Sequence, residues 1–321
     1  MGKRDPTAEA LAALTGAHDL PAEARRDLLR KNLANRSNWV VAKAAKIAGE
    51  VRDAGLAADL VAAFHRLMAD PEKLDKRCAA LTEIAAALYA IDHHDSEVLI
   101  AGIRHVQMEP SIDGPVDVAV RLRAHSAMGL SQTNHPDTAI ELVKLLADPK
   151  PGARAGAARA IATLPGAAAP LLLRFKSLIG DEESEVLAEC FAGLLAVDPE
   201  RSLEFVAGFA DAGDEQIAEA AILAIGASRT AAAVEWLKQR WERTVHGPIR
   251  KTLLLALATA RIEPATDFLL KLLADENPRS AIDVIDALRL YKHDERMRRA
   301  VGEIVEQRRD ASIVQAFRAA F

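Results

Sequence analysis

LLADPKPGARAGAARAIATLPG, residues 145–166, closes one helix, breaks, and opens another. Pro149 and Pro151 lack the amide proton that a continuing helix would donate, so the break is enforced. Asp148 and Gly152 suit the turn, and Gly166 suits a helix end. Upstream, Ile140, Leu142, Val143, Leu145 and Leu146 form an apolar stripe; downstream, Ala157, Ala158, Ile161 and Leu164 form a second at helical spacing. Neither helix can bury its stripe alone. Stacked pairs would share one continuous core, and abundant Ala would let the helix axes approach closely.

The same phrase returns as LLADENPRSAIDVIDALRL (272–290) and LMADPEKLDKRCAALTEIAAAL (67–88). Turn punctuation after Asp148 recurs at Asp181, Asp211, Arg243 and Asp275, in steps of 33, 30, 32 and 32 residues. Asp70 lies 78 residues before Asp148, which leaves room for two longer repeats, and QMEPSIDGPVD at 107–117 supplies the extra length. A period of this size with two helices per period is the signature of a solenoid. Composition agrees. Half of the 321 residues are apolar but only 4% are aromatic, the apolar mass is Ala and Leu, and no period-2 strand segment stands out. The reading is all-α.

The Leu-rich helix, Asp-Pro, and Arg followed by Ala-Ala-x-Ala-Ile in ADPKPGARAGAARAIATL resemble a HEAT repeat of the short bacterial kind. The resemblance covers roughly 22–308 and is clearest over 136–293. It implies a right-handed α-solenoid of about eight antiparallel helix pairs, whose second helices line a concave surface that binds other macromolecules. The pairs parse near 22–52, 56–92, 95–133, 136–165, 167–198, 200–228, 230–261 and 262–292, with a capping segment at 294–310. The domain expectation is a tail or short helix at 1–19, a single solenoid at 20–310, and a tail or helix at 311–321.

HEAT repeats often pair a turn Asp with an Arg early in the second helix. Asp148 with Arg154 matches that pattern, and Asp70 with Lys76 or Arg77 matches approximately. Arg121, Arg123, Arg250, Lys251 and Arg279 continue the basic series, either as an internal ladder that satisfies turn groups or as contacts to a partner. Two consecutive repeats reverse the sign. Glu185 and Glu189, then Glu215 and Glu219, occupy the comparable places, and Arg201 is the only cation between 181 and 220. Acids near a helix start favour its dipole, but Glu189 and Glu219 lie a turn or more inside. The acidic stretch 181–220 reads either as a solvated face or as a patch for a basic partner. On the second reading the inner face is basic toward the N-terminal repeats and acidic in repeats five and six, and would steer a charged protein segment.

Catalytic motifs are missing. There is no GxSxG, no GxxxxGK[ST] phosphate loop and no HExxH. His93 and His94, between Asp92 and Asp95, read as a polar loop, because adjacent histidines rarely chelate one ion. Deoxyhypusine hydroxylases share the repeat but hold iron through His-Glu pairs, and no His here precedes Glu. Cys78 and Cys190 read as buried free thiols. Trp39 with Arg36, Lys43 and Lys46 could imitate the groove of HEAT-like alkylpurine DNA glycosylases, but packing of Trp39 between helices is the reading adopted. Trp236 and Trp241 read as core and rim of a first helix. HEAT-like bilin lyases resemble the chain only in the repeat.

The start carries no apolar signal core, and the longest apolar stretch, LLLALATA at 253–260, is too short for a bilayer. The expectation is a cytoplasmic, non-catalytic scaffold with a protein partner. No cofactor and no metal are expected, and neither nucleic acid nor membrane is the expected partner. The alternatives are a HEAT-like DNA-binding protein or glycosylase, and a bilin lyase-like or other enzyme subunit.

Overall fold

The computed structural model describes residues 5–245 and 247–321. These form two compact units, one ending at Leu172 and one beginning at Leu173. The first contains α1 (Pro6–Thr15), α2 (Ala22–Leu33), α3 (Asn38–Glu50), α4 (Ala57–Met68), the short α5 (Pro71–Leu74), α6 (Ala79–Ala90), α7 (Ser96–Arg104), α8 (Val120–Ser131), α9 (Thr138–Leu146) and α10 (Pro151–Ile161). Helix α11 (Ala168–Ile179) leads from one unit into the other. The second contains α12 (Ser184–Val197), α13 (Pro199–Ala207), α14 (Glu215–Ala227), α15 (Ala231–Arg243), α16 (Ile249–Ala260), α17 (Glu263–Asp275), α18 (Pro278–Leu288), α19 (Glu295–Arg308) and α20 (Ala311–Ala320). The protein is all-α, and apart from α1 and the short α5 its helices fall in sequence into the eight expected pairs, followed by α19 and α20.

In both units the second helices pack against one another more closely than the first helices do, by the wider margin in the first unit. The row is α3, α6, α8, α10 in the first unit and α12, α14, α16, α18, α20 in the second. Small residues allow this. A Cβ added to Gly156 of α10 would stand 2.5 Å from the Ala124 Cβ and 2.8 Å from the Ala124 Cα of α8. A Cβ on Gly226 of α14 would strike the Ala256 backbone of α16. Large side chains fill the space between first and second helices. Leu29, Leu33, Val41, Leu60, Phe64, Leu81 and Leu88 are all fully buried in the first unit.

The first helices carry a ladder that sequence reading missed. Arg66 of α4 donates to the Leu33 carbonyl at the end of α2, at 2.8 Å. Arg308 of α19 donates to Leu273 O of α17 at 2.6 Å, and Arg240 of α15 to Ala210 O at 3.4 Å. Each cation satisfies carbonyls that the preceding repeat leaves open and sits favourably at the negative end of a helix.

The insertion at 107–117 departs from the strand-free expectation. Met108–Glu109 (β1) pairs antiparallel with Val116–Asp117 (β2), Met108 opposite Asp117 and Glu109 opposite Val116. Two residues per strand are too few for alternation to be legible. Buried charge fixes the root instead. Arg123, only 2% exposed, donates to Asp117 Oδ2 at 2.7 Å and to His105 O at 3.0 Å, and its guanidinium lies 3.0 Å from Asp148.

Candidate functional site

In α3 the buried positions Val40, Val41, Ala44, Ala45, Ile47 and Ala48 leave an outward row of Trp39, Lys43, Lys46 and Glu50, spaced four, three and four residues apart. Its Glu50 lies 4.0 Å from Lys46, outside the lining of a groove of about 810 Å³ that Trp39, Lys43 and Lys46 border in the first unit. Leu11 of α1, Ala42 of α3, Ala79 of α6 and Val118 give it apolar walls. Lys43, Lys46, Arg77 and Arg121 bring four cations, against a single acid, Glu83. Glu83 stands 3.7 Å from Arg121, whose side chain remains 73% exposed, so most of that charge faces water.

The start of α6 is held by a polar network. Asp75, fully buried, accepts from the Ala80 and Leu81 amides at 2.9 and 2.8 Å and from Asn38 Nδ2 at 2.9 Å. Gln107 Nε2 donates to Asp75 O at 2.9 Å and to Glu109 Oε1 at 2.8 Å. Glu109 Oε1 also accepts the Arg77 amide at 2.7 Å. Arg77 and Cys78 both sit in the left-handed region, with φ of 63° and 50°. Two such residues in succession cost roughly 1–2 kcal/mol each, which the carboxylate contacts of Asp75 and Glu109 offset. The insertion thus presents the Arg77 side chain at the groove.

His125 follows Arg121 by one turn on α8. Burial, then the charges of Arg121 and Arg159, hold its imidazole below the ordinary value, which favours the neutral ring. Burial pushes the Cys78 and Cys190 thiols up to about 12; both are free, buried cysteines without thiolate character. Among the described residues, no three His, Cys, Asp or Glu side chains are placed to hold a metal ion. Nor is any described helix long and apolar enough to cross a membrane.

The structure sorts the residues singled out from sequence. Arg77 and Arg121 line the groove, and Lys76 is exposed outside its lining. Arg123 is not a surface residue: its guanidinium is consumed inside the fold by Asp117 and Asp148. Arg154 caps its own turn, donating to Asp148 O at 2.9 Å and Pro149 O at 3.2 Å. Arg250 stacks on Trp241 at 3.5 Å, donates to the Thr244 carbonyl and lies 3.8 Å from Glu276. Lys251 pairs with Asp283 at 3.0 Å, and Arg279 is exposed. These three border a second groove, about 900 Å³, whose acids Glu242, Glu276 and Asp283 balance them. Glu185 and Glu215 are exposed, Glu189 is half-buried, and Glu219 accepts from Thr252 Oγ1 at 3.1 Å.

Trp39 overturns an expectation. It does not pack between helices; 47% of it is exposed at the groove. The 39, 43, 46, 50 row was the signal that could have placed it there, because every intervening apolar position points inward. Trp241 is buried and Trp236 half-buried, so of the two it is Trp241 that is core and Trp236 that is rim, the reverse of the order expected.

No family model matches the chain, and no curated protein does. Solved structures match. One is the complex of CpcE and CpcF of phycocyanin lyase from Nostoc sp. PCC7120, at 14% identity over 91% of this chain and 92% of that one, with a TM-score of 0.38. A likeness at that level carries nothing about activity.

Proposed function

We propose that the protein is a HEAT-type, non-catalytic scaffold whose first unit takes an acidic protein segment in the groove beside Trp39. One observation carries this reading: a large indole is left open to water within a groove that has apolar walls and four cations to one acid. Lys43, Lys46, Arg77 and Arg121 attract and orient carboxylates, while the indole and the walls take an apolar side chain between them. The Arg77 backbone is held by Glu109, so less backbone freedom is lost on binding. The raised thiol pKa values at Cys78 and Cys190 fit a role without nucleophilic chemistry.

A Glu-rich peptide carrying one Phe, titrated into the full chain at low salt, tests this directly. The emission difference between the native protein and Trp39→Phe isolates Trp39. We expect a saturable change that weakens steeply with salt and is absent for a Lys-rich counterpart. Equal binding of both peptides, or neither, would sink the reading. Single-stranded oligo-dT is the other arm, because an exposed indole among cations also suits a base-stacking platform. Tighter binding of oligo-dT than of the acidic peptide would replace the protein segment with nucleic acid.

A further inference from the structure

Helix α11 has an outward face unlike those of the first helices that follow it. Leu171, Phe175, Leu178 and Ile179 are 65, 61, 70 and 61% exposed and lie on one side of the helix. The corresponding faces of α13, α15 and α17 expose Glu200, Arg201 and Glu204, then Glu235 and Glu242, then Glu263, Asp267 and Lys271. The only two charges of α11 are both drawn away from the apolar row. Arg174 lies over the Phe205 ring at 4.5 Å and donates to Arg201 O at 2.6 Å. Lys176 is buried against Asp181 at 2.8 Å.

We infer that this face is the contact between two copies of the chain, related by a two-fold axis near Phe175. The row is self-complementary. Leu171 and Ile179 lie four residues on either side of Phe175, so an antiparallel crossing sets Leu171 of one copy against Ile179 of the partner subunit. An uncharged row offers nothing to select a charged partner, whereas its own copy matches it in length and chemistry. Four side chains of this size and exposure present several hundred Å², the scale of a functional patch on a monomer, and two copies together approach the lower bound of about 1,000 Å² for a specific interface. A contact of that size makes the dimer weak and reversible.

Sedimentation equilibrium of the full chain over a concentration series tests this. The native chain passes from monomer to dimer. Phe175→Glu and Phe175→Lys each stay monomeric, because like charges then meet at the axis. An equimolar mixture of the two recovers the dimer at low salt. Leu178→Glu repeats the disruption at a second position, and circular dichroism checks that the exposed substitutions leave the helices intact. A native chain that stays monomeric throughout overturns the inference. So does a dimer undiminished in the variants, which would place the contact elsewhere.

Discussion

Lys43, Lys46 and Arg121 mark the second helices α3 and α8 of the first unit, whereas Glu185, Glu189, Glu215 and Glu219 mark α12 and α14 of the second, before Arg250, Lys251 and Arg279 restore cations on α16 and α18. The two units share their construction principle: Ala and Leu stripes, glycine where second helices touch, and arginines that close the preceding first helix. Their surfaces differ because the core uses only the inward positions of each helix. The outward ones are free to take either sign without disturbing the packing. A further difference lies in how charge is held. The first unit buries Arg123 between two carboxylates to anchor an insertion, and it leaves a cationic groove open beside an exposed Trp39. In the second, two of the cations at its groove are paired in place, Lys251 on Asp283 and Arg250 against Glu276.

The largest effect should separate the units by their buried charge. Arg123→Met strands Asp117 and Asp148 and should destabilise the protein by about 3–5 kcal/mol, measured by denaturant unfolding. Lys176→Met in the second unit uncouples one carboxylate and should fall well below that; equal losses would break the contrast.

Next comes a control in which the units should behave alike. Gly156→Ala and Gly226→Ala each force a methyl into a neighbouring second helix, and each should lower stability by about 1–3 kcal/mol. A neutral result at either site would mean that the helices can separate there, and the shared principle would fail in that unit.

The binding contrast is sharper in its direction than in its size. Lys43→Glu, Lys46→Glu and Arg121→Glu combined should weaken the Glu-rich peptide by roughly 30-fold, about 2 kcal/mol, in fluorescence titration. Reversing Lys251 and Arg279 in the second unit should leave it unchanged. A smaller loss, near 10-fold or about 1.4 kcal/mol, is expected for Trp39→Ala, with unfolding stability altered by under about 0.5 kcal/mol because the ring packs only in part.

The smallest effect is in acid. Arg104 beside Glu141, with Lys144, holds that carboxyl down at about 2 from an ordinary 4.5. The group's folded pKa is depressed, so its contribution is complete above about 4.5 and is lost as pH falls toward 2. Protection of the α7 and α9 amides, measured as exchange relative to the intrinsic rate at each pH, should therefore fall over that window in the native protein. Glu141→Gln should flatten the dependence and cost under about 1 kcal/mol at neutral pH, since Arg104 is largely exposed.

The helix pairs were legible from residue spacing because helical periodicity and Pro-Gly punctuation are local signals. Pro149, Pro151 and the 32-residue steps place each break without knowledge of what packs against it. The same local rules located Arg77 and Arg121, which line the groove, but could not distinguish them from Arg123, two residues on and buried. A charge pattern along one helix does not reveal which cation will meet a carboxylate brought in from an insertion and from the turn before the next helix. Trp39 was misplaced for a related reason: bulk and apolarity argue for burial, and only its neighbours decide.

The chain by itself determined an all-α repeat, its period, its breaks and the change of sign along its second helices. All of these follow from hydrogen-bond geometry and apolar periodicity within some 30 residues. Only the tertiary structure decided which charges are spent inside, that Trp39 stands open in a cationic groove, and that α11 turns an uncharged face to solvent. Those outcomes depend on contacts between residues distant in the chain, where burial and pairing, rather than residue type, fix what a side chain can do.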